Sequence, residues 1–189
     1  MRWLEDMLQI WPEDGLVWPV ELRPHGEGTY EKEPVEGWYD RNSDRVGHLH
    51  PLIAGQWVYR HWDLSPYCSL PLAGLAWTEE TWTSEEVLGV HCPFWEFNAE
   101  HDYQVFNTFP DNPTATPMNA TGTWDIPIVL LQTPAGLIDA QGPKPGIRHL
   151  LIEGHSRMRD LNSLVHRGEA ASSHRVFVLR HGSIESPQN

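Results

Sequence analysis

Hydrophobic and polar positions alternate on different periods along this chain, and the last third is the most legible. IPIVLLQ, residues 126 to 132, is a continuous apolar run of strand length, the pattern of a strand covered on both faces. The turn-rich TPAGLIDAQGPKPG leads to a second apolar run, RHLLIEG. SRMRDLNSLVHRG then places Met158, Leu161, Leu164 and Val165 on one helical stripe, with Gly168 as its C-terminal stop. HRVFVLRH, residues 174 to 181, predicts another strand. Strand, loop, strand, tight turn, helix and strand make an α+β or α/β unit, with chemistry expected at the strand-to-helix turn.

The first two-thirds are less regular. Trp3, Leu4, Met7, Leu8 and Ile10 or Trp11 fall near a helical period and predict a short amphipathic helix ended by Pro12. VWPVELRP, residues 17 to 24, puts Trp18, Val20 and Leu22 on one face and predicts an edge strand, because its prolines cannot donate to a ladder. The stretch from Gly26 to Asp44 reads as a long acidic loop, and HLHPLIAGQWVYRHW as two short strands around Ala54-Gly55. TSEEVLGV opens with a hydroxyl residue followed by glutamates, a helix start at Thr83. Residues 107 to 123 are rich in Pro, Asn and Thr and read as a loop or linker.

Composition bounds these elements to a folded protein. Of 189 residues, 40 % are hydrophobic and ten are tryptophan, too apolar and aromatic for a disordered acidic tail. No apolar run reaches the roughly 18 residues of a membrane span, and MRWLEDMLQIWPED carries acids where a secretory signal is apolar. A soluble cytoplasmic protein without membrane insertion is expected. Cys68 and Cys92 are too few for a disulfide scaffold and form no CxxC pair, which suits a reducing compartment.

The net charge of −13 is unevenly placed. Residues 1 to 124 carry 20 acids and 6 bases, residues 125 to 189 only 6 acids and 7 bases. Between Lys144 and His181 stand 7 bases, 3 acids and five histidines, whereas all ten tryptophans lie at or before Trp124. The expected organisation is a single domain over residues 1–189, with an acidic Trp-rich region over 1–124 and a core motif over 125–181. Coating of nucleic acid over a broad surface is excluded by this charge, but a basic strip of Arg148, Arg159, Arg175 and Arg180 can hold a DNA backbone.

The turn Ile152-Glu153-Gly154-His155-Ser156-Arg157 is the most informative segment. A glycine between a buried strand and a helix permits a sharp bend and close approach of a ligand, while the first free N–H groups of the helix form an anion site. Arg157 can set a planar fork of donors on the same phosphate. Glu153 can bind Mg²⁺ or act as a base, and His155 and Ser156 add an imidazole and a hydroxyl. Each residue also has an ordinary role: Gly154 as a turn glycine, Ser156 as a helix cap, His155 facing water, Glu153 paired with Arg157 or Arg159.

LLIEGHSRMRDLNSLVHRG resembles the signature of the ParB/sulfiredoxin superfamily over about 30 residues, Leu150 to Leu179, in which a strand enters a GxxR turn that cradles nucleotide phosphates. The resemblance implies an α+β fold of that type, with a mixed sheet and helices. It also implies that Gly154, His155, Ser156 and Arg157 bind ATP and that Glu153, His155 and Arg157 carry catalysis, with Mg²⁺ at Glu153. His155 stands where sulfiredoxins have a cysteine and ParB partition proteins an acidic metal ligand, so neither sulfinic-acid chemistry nor partition is expected. Within the superfamily the small, acidic, Trp-rich chain resembles the fertility-inhibition, or oncogenic-suppression, proteins of conjugative plasmids. That resemblance implies an ATPase and DNase that blocks DNA transfer at the cytoplasmic face of a type IV secretion system. The alternative is a non-enzymatic inhibitor that binds a secretion-system partner, its GxxR turn structural or only nucleotide-binding.

Other constellations carry less. His48 and His50 have the spacing of a metal pair on a strand, with His91-Cys92 and His101-Asp102 as further ligands, but no CxxC or HExxH accompanies them. Ser156 lacks a GxSxG elbow, and His91 and Cys92 as strand neighbours point apart, so core filling is the reading for both cysteines. The tryptophans can stack bases, yet their acidic surroundings favour core packing or a partner-protein surface.

Overall fold

The computed structural model describes residues 2–4, 7–10, 18–26, 32–62, 64–93, 96–108 and 111–182, with residues 2–4 described in backbone only. It is a mixed α+β structure. Its strands are β1 (Arg2–Leu4), β2 (Met7–Gln9), β3 (Leu75–Trp82), β4 (Ile128–Gln132), β5 (Leu137–Asp139), β6 (Gly142–Lys144), β7 (His149–Glu153) and β8 (His174–His181). Its α-helices are α1 (Val35–Arg41), α2 (Ser43–Val46), α3 (Pro51–Ile53), α4 (Ser84–Leu88), α5 (Ala99–Thr108), α6 (Ala115–Thr121) and α7 (His155–Arg167). Among the described residues no helix is long and apolar enough to cross a membrane. The chain divides into two units, one of Met1–Trp77, Gln132–Arg148 and Leu179–Asn189, the other of Thr78–Leu131 and His149–Val178.

The first unit holds a sheet of order β1-β2-β5-β6. The helix expected at the N-terminus is instead an antiparallel pair, Arg2 opposite Gln9 and Leu4 opposite Met7. Leu8 and Ile10 are fully buried while Met7 and Gln9 are half-buried, so the period that matters is two. The partner that selects it is distant: β2 runs parallel to β5, with Leu8 beside Leu137.

Three further expectations for this unit are corrected. VWPVELRP forms no strand over its described residues; Val20–Leu22 is a 3₁₀ turn with Val20 exposed, while the Trp18 indole packs edge-on against Trp57 at 5.2 Å. The Gly26–Asp44 loop contains α1, because buried Trp38 anchors it and donates from Nε1 to the Leu22 carbonyl at 2.8 Å. The two strands around Ala54-Gly55 are one helical run, α3 continuing as a π-helix over Ala54–Tyr59. Leu49, Ile53 and Trp57, four residues apart, are all buried, and Pro51 suits a first helical turn where no N–H is needed. Trp18, Trp38 and Trp57 are thus core residues whose indole N–H groups each find a buried acceptor.

The second unit is built on the sheet of order β3-β8-β4-β7, whose strands β3, β4 and β8 continue beyond it in sequence. Here the expected elements appear. β4 is buried from Ile128 to Leu131 and β8 from Val176 to Leu179, as continuous apolar runs require. Thr83 caps α4 in a capping box with Glu86. α7 buries Met158, Leu161 and Leu164 against Ile128, Leu130, Val176 and Phe106, while Val165 stays 40 % exposed. Gly168, at φ 72°, ends it as expected. The Pro/Asn/Thr-rich segment expected to be loop contains α6, started by Asn112 Oδ1 accepting from the N–H groups of Thr114 and Ala115.

Candidate functional site

The strand-to-helix turn lies within the second unit. β7 ends at Glu153, Gly154 takes φ 113° and ψ 24°, and α7 begins at His155. The glycine is required twice over. Its backbone is left-handed, and a Cβ there would stand 2.5 Å from Ile128 Cγ2 and 2.8 Å from Ile128 Cβ. The strand–helix junction is therefore pressed onto β4. Gly154 itself holds the N-cap position with no side-chain cap, and its carbonyl accepts from Met158 N at 2.9 Å. Ser156 is exposed and is not the cap, which leaves the first-turn N–H groups unshielded by a side-chain acceptor.

The side chains around that turn are more internally committed than their types suggest. Arg157, 12 % exposed, donates from Nη1 to the carbonyls of Ile126 at 2.5 Å and Pro127 at 3.2 Å. Its Nη2 lies 3.8 Å from Glu153 Oε1, an ion pair between the end of β7 and the first turn of α7. The guanidinium thus ties the entry of β4 to the turn. His155 is half-buried, with Nε2 buried and lacking a hydrogen-bond partner. Burial, and then the nearby Arg157 charge, push its pKa below the ordinary histidine value, so the imidazole is neutral at pH 7. The turn brings together Glu153, Gly154, His155, Ser156 and Arg157 as expected, with Glu153 paired to Arg157 rather than to Arg159.

The four arginines of the expected basic strip are each engaged. Arg148 donates to the Pro134 carbonyl and Arg180 to Gln132 Oε1, both in the first unit. In the second, Arg175 pairs with Glu79 at 2.5 Å and Arg159 with Asp102 at 3.1 Å. Within β8, Arg175 and Arg180 are five residues apart, so their side chains leave opposite faces of the strand. Arg175 is the exposed one. The histidines of HLH are occupied too: His48 Nε2 meets the Leu72 carbonyl at 2.9 Å, and His50 Nδ1 accepts from Leu52 N at 3.1 Å. Cys92 packs against the hydrophobic core of the second unit.

The most unusual electrostatics lie one turn further along α7, around Asp160, for which the sequence pattern pointed to no role. Asp102, fully buried on α5, accepts from Arg159 Nε, from Asn162 Nδ2 at 2.9 Å and from the Asn98 N–H at 3.1 Å. Beside it Asp160 is only 7 % exposed and its Oδ2 has no hydrogen-bond partner. Burial, opposed by Arg159 and aided by Asp102, raises the Asp160 pKa to about 6. Ser156, Arg159 and Asp160 line a cavity of about 220 Å³ with Asn112 and Thr114. A larger cavity, about 640 Å³, lies in the first unit between Trp18, Leu22, His48 and Leu70; its walls are mainly apolar, and His48 in its wall is already bonded to the Leu72 carbonyl.

Comparison with known proteins adds no relative: no family model, no curated protein and no solved structure matches the chain.

Proposed function

We propose that the turn from Glu153 to Arg157 is a nucleotide site of ParB/sulfiredoxin type, and that the protein is a fertility-inhibition factor which hydrolyses ATP and cleaves DNA. On this reading it blocks DNA transfer at the cytoplasmic face of a type IV secretion system. The observation that carries it is the start of α7: a 13-residue helix begins at a left-handed glycine with no side-chain cap. The N–H groups of His155, Ser156 and Arg157 are the donors a phosphate would meet there, reinforced by the positive end of the helix dipole.

The residues fit the implied ligands with one demand on Arg157. To reach a phosphate, its guanidinium exchanges the carbonyls of Ile126 and Pro127 for phosphoryl oxygens, a swap of neutral acceptors for charged ones that favours the bound form. Glu153, 3.8 Å from Arg157, is a single carboxylate of the kind that holds Mg²⁺ together with substrate phosphates. When bound, Mg²⁺ supplies neutralisation of phosphate charge. Neutral His155 can take a proton from an attacking water, and the helix start stabilises charge on the transferred phosphoryl group. Exposed Arg175 is the member of the basic set best placed to meet a DNA phosphate.

A second reading is favoured by the same arginine. Because Arg157 already satisfies two backbone carbonyls and Glu153, the GxxR turn also serves as a structural tie, as in a non-enzymatic inhibitor that acts by binding a secretion-system protein. ATP hydrolysis and plasmid degradation, measured with and without Mg²⁺ for the parent, Arg157→Ala and Glu153→Ala, separate the two. The enzyme reading expects Mg²⁺-dependent activity that falls about 100-fold or more in both variants while their circular dichroism is unchanged. Absence of parental activity, or variants as active as the parent, overturns it; inhibition of conjugation that survives in Arg157→Ala supports the partner-binding reading.

A further inference from the structure

We propose that the cavity between α7 and the segment leading into α6 is a binding site for a small guanidinium or amidinium cation, recognised by Asp160. The proposal does not rest on the nucleotide reading, with which it shares only Ser156.

The charge arithmetic is local. Asp102 is fully buried and carries one negative charge, which Arg159 cancels through its Nε contact at 3.1 Å; Asn162 and the Asn98 N–H complete its hydrogen bonds. Asp102 therefore has no need of a guest. Asp160 is different: it lies next to that neutral pair, is more than nine-tenths buried, and keeps an oxygen without a partner. A buried carboxylate in that state is costly, and the cost falls when a donor that is also a cation arrives. The charged groups that act on Asp160 are Arg159 on its own helix and Asp102 on α5, and α6 contributes no titratable side chain.

The remaining lining selects the shape of the guest. The hydroxyls of Thr114 and Ser156 line the same cavity and can accept hydrogen bonds, whereas the Asn112 Oδ1 is taken by the N–H groups of Thr114 and Ala115, and Arg159, also in the wall, has its Nε on Asp102. A planar guanidinium presents up to five N–H groups in one plane, matching a carboxylate on one edge and neutral oxygens on the others. A volume of about 220 Å³ accommodates such a head group but not a drug-sized ligand, whose pockets are roughly 300 to 1,000 Å³. The Val105 side adds an apolar wall suited to a short alkyl substituent.

Methylguanidinium chloride, titrated into the full-length protein by calorimetry and amide NMR at pH 8 and pH 5, tests the assignment, with tetramethylammonium chloride as a cation lacking N–H donors. Saturable one-to-one binding at pH 8 is expected, with amide shifts at Asn112, Thr114 and residues 156–160, about tenfold weakening at pH 5 as Asp160 takes up its proton, and no binding of tetramethylammonium. Asp160→Asn should abolish the binding at pH 8, and Thr114→Val should weaken it severalfold with the charge cluster intact. If Asp160→Asn does not fold, Thr114→Val and the parent's pH dependence decide. No saturable binding at pH 8 overturns the proposal and leaves a water-filled cavity. Equal affinity at the two pH values, equal affinity in Asp160→Asn, or equal binding of tetramethylammonium overturns it as well.

Discussion

At the scale of single residues, the buried ionisable groups of the second unit pull stability in opposite directions with pH. Asp160 holds its proton more tightly folded than unfolded, its pKa raised from 3.8 to about 6. Between those values the native state binds more protons, so this contribution falls as pH rises, by roughly 3 kcal/mol across the window. His155 and His174 act the other way. Burial lowers both below the ordinary value of 6.5, so their contribution is lost as pH falls below it and the unfolded chain takes up protons the native state refuses. His174 is held neutral between two hydroxyls, Ser84 Oγ at 2.8 Å and Thr123 Oγ1 at 2.9 Å. Denaturation of the parent and Asp160→Asn at pH 4 and pH 7.5 isolates the aspartate: the variant should gain up to about 3 kcal/mol on the parent at pH 7.5 relative to pH 4. A stability difference that does not change with pH would contradict the burial of an uncompensated charge.

At the scale of elements, the junction of β7 and α7 depends on Gly154 more than on any charged neighbour. Alanine there must adopt φ 113° and also place a methyl group within van der Waals radii of Ile128, whose own strand is buried on both faces. The two penalties together amount to about 2–4 kcal/mol. Chemical denaturation of Gly154→Ala should show that loss, whereas Ser156→Ala, at an exposed position that is not the helix cap, should stay within about 0.5 kcal/mol of the parent. Equal stabilities for the two variants would mean the turn is not pressed onto β4.

At the scale of the molecule, 26 acids against 13 bases leave an excess that the ion pairs do not remove. Pairs such as Arg159–Asp102, Arg175–Glu79 and Lys144–Asp139 use up bases from the very segment that looked electropositive in the sequence. Self-repulsion is therefore a general destabilising term that salt screens. Raising NaCl from about 20 mM to about 300 mM should raise the melting temperature in a calorimetric scan, the Debye length falling several-fold over that range. A flat or falling melting temperature would show that local pairing outweighs the net charge.

The amino-acid order by itself determined the elements whose signals are local and mutually consistent. β4, β7, α7 with its Gly168 stop, β8 and the Thr83-capped α4 all follow from apolar runs, a helical stripe or a cap, because burial on both faces or on one stripe leaves no competing period. The glycine turn and its five neighbouring side chains were equally legible, since they are contiguous. Only the tertiary structure decided the rest. The N-terminal residues pair as strands because β5 offers them an edge, and Pro51 to Tyr59 winds into a helix because Ile53 and Trp57, one turn apart, must share one buried face. It also decided what the arginines do: Arg157 ties backbone carbonyls, and Arg159 neutralises Asp102 from a position 57 residues away. Asp160 lies inside the segment that resembles the superfamily signature, but nothing in that pattern marks it as buried or perturbed. Its raised pKa comes from low-dielectric burial and from a carboxylate on another helix, and both come into being only when α5 and α7 pack together.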